Sequence, residues 1–192
     1  MPVFTFTTID VSRSGTTGTS VFGINGSGDI AGTFRNATGN HGFIRFSGGI
    51  TGFIDGPPGT SNASVRGIND QDQIVGDYQD ASGIHGFRSG SGLTTIDVAG
   101  ALQPAHPTST TQGRSSGGFS DGHAFHGFVR FSSGLTGIID GPTGTTNTVV
   151  RGINDQGAMV GSYQDASDDG FRRRRRRQLN CSGAGRRPVS RC

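Results

Sequence analysis

The chain has 192 residues, enough for one sizeable domain, and 30% of them are apolar, against about 45–50% (with Gly counted) in an average globular domain. All 14 acidic residues are Asp and all 17 basic residues are Arg, so the strong helix formers Glu and Lys are absent. The 35 Gly and the regularly spaced Phe, Ile, Val and Thr favour short strands joined by turns over disorder. No apolar run reaches the about 20 residues of a membrane span, and no signal peptide is predicted.

Three motifs recur in one order with a period of about 43 residues, which predicts four tandem modules. The first motif is an Ile-Asp pair, found at Ile9-Asp10, Ile54-Asp55, Ile96-Asp97 and Ile139-Asp140. The second is a Gly-Ile-Asn tripeptide, found at Gly23–Asn25, Gly67–Asn69 and Gly152–Asn154. The third is a His-Gly-Phe tripeptide, found at His41–Phe43, His85–Phe87 and His126–Phe128, with an altered copy at Gly170-Phe171.

Each module predicts four short strands. The first contains the Ile-Asp pair, the second ends in Gly-Ile-Asn, the third has an Ile-Val-Gly pattern and the fourth contains His-Gly-Phe. Examples in that order are Thr7–Val11 and Leu93–Val98, Ser64–Asn69, Gln73–Tyr78 and Ala158–Tyr163, and His41–Phe46 and His126–Phe131. The segments Asn69–Asp72 and Asn154–Gly157 predict tight hairpin connections, because Asn, Asp and Gly accept turn conformations at low cost.

Four antiparallel strands in about 43 residues match the size of a β-propeller blade, a unit that needs neighbours to bury its faces. The predicted fold is all-β: tandem four-stranded antiparallel modules, propeller-like, with four blades or an incomplete ring. A β-solenoid and a two-sheet sandwich are the structural alternatives. The modules span about 4–48, 49–91, 92–133 and 134–171, and residues 172–192 form an irregular, disordered tail.

The pattern breaks at two places. Residues 102–116 keep the length of the third module but lose both central motifs, which two compensating frameshifts would explain. Residues 172–192 carry nine Arg, no acid and both cysteines (Cys181 and Cys192), so this tail has a net charge of +9 and residues 1–171 have −6. An out-of-frame reading of GC-rich DNA is the favoured explanation of the tail. The alternative is an arm for nucleic acid or an anionic surface, centred on Arg172–Arg177.

The motifs of residues 4–171 resemble the bacterial extracellular HAF repeats, whose units carry an Ile-Asp opening, a Gly-Ile-Asn-Asp turn, an Ile-Val-Gly strand and a His-(Ala/Gly)-Phe strand. The tripeptide that names the family stands at His123-Ala124-Phe125. The resemblance implies an exported repeat protein, and it carries over no activity and no site residue.

Two sets of residues suggest chemistry. The repeated His41, His85 and His126, with Asp10, Asp55, Asp97 and Asp140, resemble acid–base or metal-binding groups. The acidic loops Asn69–Asp72 and Asp165–Asp169 offer oxygen atoms to calcium but lack the spacing of a calcium loop. Because these residues recur once per module, we expect structural roles, since a catalytic group normally stands once among unlike partners.

The expected function is therefore a non-enzymatic structural or binding scaffold with no catalytic, cofactor or metal site. Carbohydrate or another protein is the expected partner, because loops at the ends of such sheets carry function. The alternatives are an enzyme with its site in a propeller channel, and a damaged or partial reading frame without a function of its own.

Overall fold

The computed structural model describes residues 3–49, 51–111, 113–154, 156–165 and 176–179, and only the backbone of 103–106, 108–111 and 176–179. This part of the chain forms strands and turns, without a helix. Sheet 1 contains β1 (Gly18–Ile24), β2 (Ile30–Asn36), β3 (Gly39–Arg45) and β4 (Thr51–Ile54), and sheet 2 contains β5 (Ser61–Ile68), β6 (Ile74–Asp80), β7 (Gly83–Ser89) and β8 (Leu93–Ile96). Sheet 3 contains β9 (Gln103–Thr111), β10 (Arg114–Ser120), β11 (Phe125–Arg130) and β12 (Thr136–Ile139), and sheet 4 contains β13 (Thr145–Ile153), β14 (Met159–Asp165) and β15 (Arg176–Leu179).

The predicted all-β class with repeated antiparallel modules is confirmed. Every sheet is a meander in which strands consecutive in the chain pair antiparallel. The sheets pack in chain order: β5 lies against β1, β2 and β3, β9 against β5, β6 and β7, and β13 against β9, β10 and β11. Among the described residues these contacts form a row of four sheets, and no closed barrel or propeller is seen.

The sheets are offset from the sequence modules by one strand. The Ile-Asp strand, which opens each module in the sequence, pairs with the His-Gly-Phe strand of the module before it, as β8 pairs with β7. Sheets 1 and 2 therefore begin with a Gly-Ile-Asn strand and end with an Ile-Asp strand, sheet 3 ends with an Ile-Asp strand, and sheet 4 begins with a Gly-Ile-Asn strand. In consequence, each of the last three sequence modules supplies the last strand of one sheet and the first three of the next.

The predicted strand Thr7–Val11 is wrong, because residues 3–17 contain no strand. The offset explains this difference. An Ile-Asp strand pairs with a His-Gly-Phe strand from the module before it, as β8 does with β7, and the described residues place no such strand beside residues 7–11. Ile9 and Val11 still pack against Phe34 and Phe43 of sheet 1.

Sheet 3 is complete even though residues 102–116 have lost the module's central motifs. The segment contains all of β9, which pairs with β10, and the first three residues of β10, which begins at Arg114. Two prolines, Pro104 and Pro107, lie within β9. Both are compatible with this position because β9 is an edge strand, paired on one side only.

Part of the predicted irregular tail is ordered as a strand. Residues Arg176–Leu179 form β15, which pairs with β14 in the place of the missing His-Gly-Phe strand. The altered copy Gly170-Phe171, residues 172–175 and both cysteines lie outside the described residues.

The close approach of strands within a sheet depends on glycine. A Cβ on Gly76 of β6 would overlap the carbonyl oxygen of Ser64 and lie 2.8 Å from Cε1 of Phe87, whose ring fills this space. Gly32 in sheet 1 faces the corresponding carbonyl of Ser20 and the ring of Phe43 in the same way. This second Gly stands nine residues after the Gly of Gly-Ile-Asn in all three copies of the motif. The constant interval thus matches a packing geometry that recurs from sheet to sheet.

Candidate binding site

The repeated histidines each join a hairpin turn to the Asp of the Ile-Asp pair. In sheet 3, Nδ1 of His126 lies 2.8 Å from Oδ1 of Asp140, and Nε2 lies 3.3 Å from Oδ2 of Asp121. The imidazole ring stacks on Phe119 with 5.3 Å between ring centroids. Both ring nitrogens therefore face a carboxylate, an arrangement that suits the protonated ring, which has two N–H donors.

The same geometry recurs in sheet 2 around His85. Its Nδ1 lies 3.2 Å from both carboxylate oxygens of Asp97, and its Nε2 lies 3.1 Å from Oδ1 of Asp80 and 2.9 Å from Oγ of Ser82. The ring stacks on Tyr78 at 5.4 Å. A ring held on one face by an aromatic side chain and at both nitrogens by hydrogen bonds has a fixed orientation.

Sheet 1 repeats the arrangement with a neutral turn residue. Nδ1 of His41 lies 2.7 Å from Oδ1 of Asp55, and Nε2 lies 3.0 Å from the amide oxygen of Asn36 and 2.8 Å from Oγ1 of Thr38. The ring stacks on Phe34 at 5.1 Å. We call the three arrangements the histidine clamps.

The clamps shift the pKa values of their members. The hydrogen bond to Asp140 raises the pKa of His126 against the opposing effect of burial, and Asp121 raises it further. Burial acts to lower the pKa of His85, but the hydrogen bonds and charges of Asp97 and Asp80 outweigh it, so the pKa is raised.

The turn carboxylates of two clamps have lowered pKa values. Backbone N–H groups of Ala124 and His123 donate to Asp121 and lower its pKa to about 2. Hydrogen bonds from the hydroxyl and backbone N–H of Ser82 lower the pKa of Asp80. Hydrogen bonds within the turn are therefore the main cause that favours the ionised form of each carboxylate, and the contact with the histidine adds to it.

The clamp of sheet 3 forms one wall of a cavity of about 490 Å³. The cavity is lined by Ala124–His126, by Ile138 and Asp140, and by residues 141–148, which form the turn after β12 and the start of β13. Phe125 and Ile138 present exposed apolar surface there, with 43% and 55% of their surface accessible. Thr143 and Thr146 add exposed hydroxyls, whereas the polar groups of Asn147 and Thr148 are hydrogen-bonded within the chain.

The structure places the predicted residues in two groups. His41, His85 and His126 meet Asp55, Asp97 and Asp140 pairwise within the clamps. Asp10 is exposed in the irregular N-terminal segment, and no contact with a histidine places it in a clamp.

The acidic loop Asn69–Asp72, which connects β5 and β6 of sheet 2, is hydrogen-bonded to the turn between β1 and β2 of sheet 1. Oδ1 of Asp70 accepts a hydrogen bond of 2.7 Å from the backbone N–H of Gly26, and Oδ1 of Asp72 accepts one of 2.7 Å from Nδ2 of Asn25. These carboxylates are engaged by the neighbouring turn. The second acidic loop lies outside the described residues except for Asp165.

An asparagine that the three sequence motifs do not include bridges neighbouring sheets. Asn62 and Asn147 have a left-handed backbone, each with φ of 53°. Oδ1 of Asn62 accepts a hydrogen bond of 3.2 Å from the backbone N–H of Asn40, and Oδ1 of Asn147 accepts one of 3.1 Å from that of Phe125. The two asparagines are 85 residues apart, as are two of the Gly-Ile-Asn copies, and this interval was the available signal.

The turn members of the clamps were also missed. Asn36, Asp80 and Asp121 each stand five residues before the clamp histidine. This constant spacing was a signal in the sequence, although the change from Asn to Asp obscured it.

Two kinds of feature are absent from the described residues. This part of the chain contains no group of three or more His, Cys, Asp or Glu side chains arranged to hold a metal ion. Within the same ranges, no helix has the length and apolarity needed to cross a membrane. No protein-family model, curated protein or solved structure matches the chain.

Proposed function

We propose that the chain is a non-enzymatic repeat protein of the HAF type, built as an open arc of propeller blades, which binds carbohydrate at the cavity between sheets 3 and 4. The order of the three motifs supports the family assignment, and export is a part of the proposal that rests on that resemblance alone. The histidine clamps argue against catalysis, and the cavity lining argues for a saccharide.

The blade arrangement is supported by the first strands of the sheets. Strands β1, β5, β9 and β13 lie beside one another in chain order, as the innermost strands of propeller blades do. Gly23 approaches the next inner strand closely, since a Cβ there would lie 3.3 Å from Cα of Gly67. The later strands of each sheet extend away from this line of inner strands.

A structural role for the histidines is supported by their occupied nitrogens. A general base needs a free ring nitrogen within reach of the proton that it removes. In His85 and His126 both nitrogens already have carboxylate partners within 3.3 Å. Three near-identical clamps in three sheets also fit a role repeated once per sheet.

The observation that carries the ligand proposal is the pairing of exposed apolar side chains with a hydroxyl-rich loop around one cavity. A sugar ring presents apolar C–H surface and hydroxyls that need both donors and acceptors. Phe125 and Ile138 offer the apolar surface, and the exposed hydroxyls of Thr143 and Thr146 and the exposed carboxylate of Asp140 offer donors and acceptors. The cavity volume of about 490 Å³ falls within the range of small-molecule sites.

A glycan array probed with the full chain tests the proposal, followed by titration calorimetry on the glycans that bind. The variant Phe125→Ala removes the aromatic surface, and we expect it to weaken binding about tenfold, which corresponds to a loss of about 1.4 kcal/mol for an aromatic contact. Phe46→Ala is the matched control, because Phe46 is 37% exposed but lies in sheet 1, away from the cavity. Absence of any bound glycan, or equal loss in both variants, contradicts the proposal.

A further inference from the structure

The sheets of the row are joined by one repeated interface with two different sides. We call the face turned toward the preceding sheet the leading face, and the face turned toward the following sheet the trailing face. At the first interface, Ala31 and Ile44 on the trailing face of sheet 1 pack with Val65 on the leading face of sheet 2. At the third interface, Val129 on the trailing face of sheet 3 packs with Val150 on the leading face of sheet 4.

The leading face of sheet 1 is uncovered on its inner side. Val21 corresponds to Val65 and Val150, which are both fully buried, yet 46% of its surface is exposed. Ile24 is 67% exposed, whereas the corresponding Ile68 is 9% exposed. The residues that form an interface in the other sheets therefore have no covering sheet here.

The trailing face of sheet 4 is uncovered in the same way. Val160 corresponds to Ala31 and Val75, which are both fully buried, but it is 51% exposed. Its neighbour Met159 points to the opposite face and packs with Val129 and Val150. The two ends of the row thus expose the two sides of one interface.

The two ends of the row also match in their strands: within the described residues, one end lacks an outer strand, and the other has an Ile-Asp segment without a partner strand. Sheet 4 has three strands and lacks an outer Ile-Asp strand in the described residues. The N-terminal segment contains an Ile-Asp sequence that has no sheet of its own. Ile9 and Val11 pack on Phe34 and Phe43 of sheet 1. In the same way, Ile96 of β8 and Val98, just after β8, pack on Phe119 and Phe128 of sheet 3.

We propose that a second copy of this chain covers each end, so that the trailing face of sheet 4 in one copy packs on the leading face of sheet 1 in the next. Residues 7–11 of the second copy then pair with β15 as the outer strand of that sheet. Both faces are exposed in the described part of the chain, so they do not cover each other. Charge supports the same partner, because residues 172–192, which include β15 of sheet 4, carry a net +9 and residues 1–171 carry −6.

This contact is heterologous, since two different surfaces meet. Such contacts produce rings when the rotation closes and open filaments when it does not. The proposal does not depend on the carbohydrate site, which lies between sheets 3 and 4.

Sedimentation velocity of the full chain over a concentration series tests the proposal. We expect a concentration-dependent shift from the 19.9 kDa monomer to multiples of that mass. Val21→Arg blocks the leading face and Val160→Arg blocks the trailing face, so each variant alone should remain monomeric. An equimolar mixture should form a dimer and nothing larger, because the one remaining pair of intact faces can join once.

The controls separate assembly from misfolding. Leu135→Arg places the same charge on a residue that is 71% exposed in the turn between β11 and β12, outside both faces, and it should assemble like the unmodified chain. Ile24→Ser provides a milder block of the leading face, and circular dichroism checks that each variant stays folded. A wild-type chain that stays monomeric, as it would if it closed a ring on itself, overturns the proposal, and so does a mixture without a dimer.

Discussion

Within each histidine clamp, the ring lies between two acceptors and on an aromatic side chain. The sequence predicted a repeated structural role for the histidines, and each of them contacts the Asp of an Ile-Asp pair, Asp55, Asp97 or Asp140. The turn partner was not predicted because it is Asn in one module and Asp in two, so no single residue type marks the position. The clamp therefore needs an oxygen acceptor at this turn position, which either Asn or Asp provides.

The raised pKa values of His85 and His126 predict that stability falls as pH rises. Protonation is favoured in the folded chain, so the clamps contribute fully below the unfolded histidine pKa of about 6.5 and lose that contribution as pH rises through the higher folded value. Urea unfolding between about pH 5.5 and 8.5 should show this decline in the unfolding free energy.

The matched variant carries both His85→Asn and His126→Asn, which removes the titrating groups. Its unfolding free energy should change less over the same range. An unmodified chain whose stability rises with pH across this interval contradicts the assignment. In acid, the opposite sign applies to Asp121, whose contribution is present above about pH 3.9 and is lost as pH falls toward its folded pKa of about 2.

At the level of strands, regular spacing made most of the fold predictable. Strands such as β3, β6 and β11 fall within one or two residues of the predicted segments. The pairing of the Ile-Asp strand was not predictable from the period, because a cyclic repeat does not indicate where a sheet begins. The contact that decides it, between β7 and β8, joins two adjacent modules of the sequence.

The third sheet shows that chain length can preserve a strand whose motif is lost. Residues 102–116 keep the spacing between the flanking strands, and β10 pairs through backbone groups that any residue provides. Its position at the edge then tolerates the two prolines of β9. A motif-based reading cannot detect such a strand, because backbone pairing leaves no residue signature.

The glycine of the Ile-Val-Gly strand gives a prediction for element packing. Gly76→Ala should lower the unfolding free energy by about 1–3 kcal/mol, because the added methyl overlaps the carbonyl of Ser64 and presses on Phe87. Gly18→Ala, also within a strand, meets no atom within 4 Å and should change stability by less than about 1 kcal/mol. Chemical denaturation of both variants provides the measurement, and equal effects would refute the packing argument.

For the whole molecule, the same substitution at equivalent positions of the repeat should change the unfolding free energy by different amounts, depending on whether a neighbouring sheet covers the position. Val65→Arg buries an unpaired charge at the interface between sheets 1 and 2, and we expect a loss of more than about 4 kcal/mol or complete unfolding. Val21→Arg changes the corresponding residue at the free end and should alter stability by less than about 0.5 kcal/mol in dilute, monomeric samples. Thermal melts followed by circular dichroism compare the two, and a severe loss in both would show that the end of the row is covered.

The candidate cavity was less predictable than the fold. The sequence identified His126 and Asp140, but it gave no reason to select the third module over the others. The selection comes from Phe125 and Ile138, which correspond to Asn40 and Phe53 in the first sheet. Because this apolar pair is not part of the repeated motif, only the arrangement in space shows that it lies beside residues 141–148.

The one-strand offset between sequence modules and sheets has a genetic consequence. A recombination event that deletes one whole module removes three strands of one sheet and the outer strand of the sheet before it, and an insertion adds the same set. The module that then follows supplies an equivalent outer strand to the sheet before the exchange, so the sheets beside the exchange keep four strands. Copy number can therefore change by unequal crossing-over without leaving a broken sheet, wherever the exchange falls within the repeat.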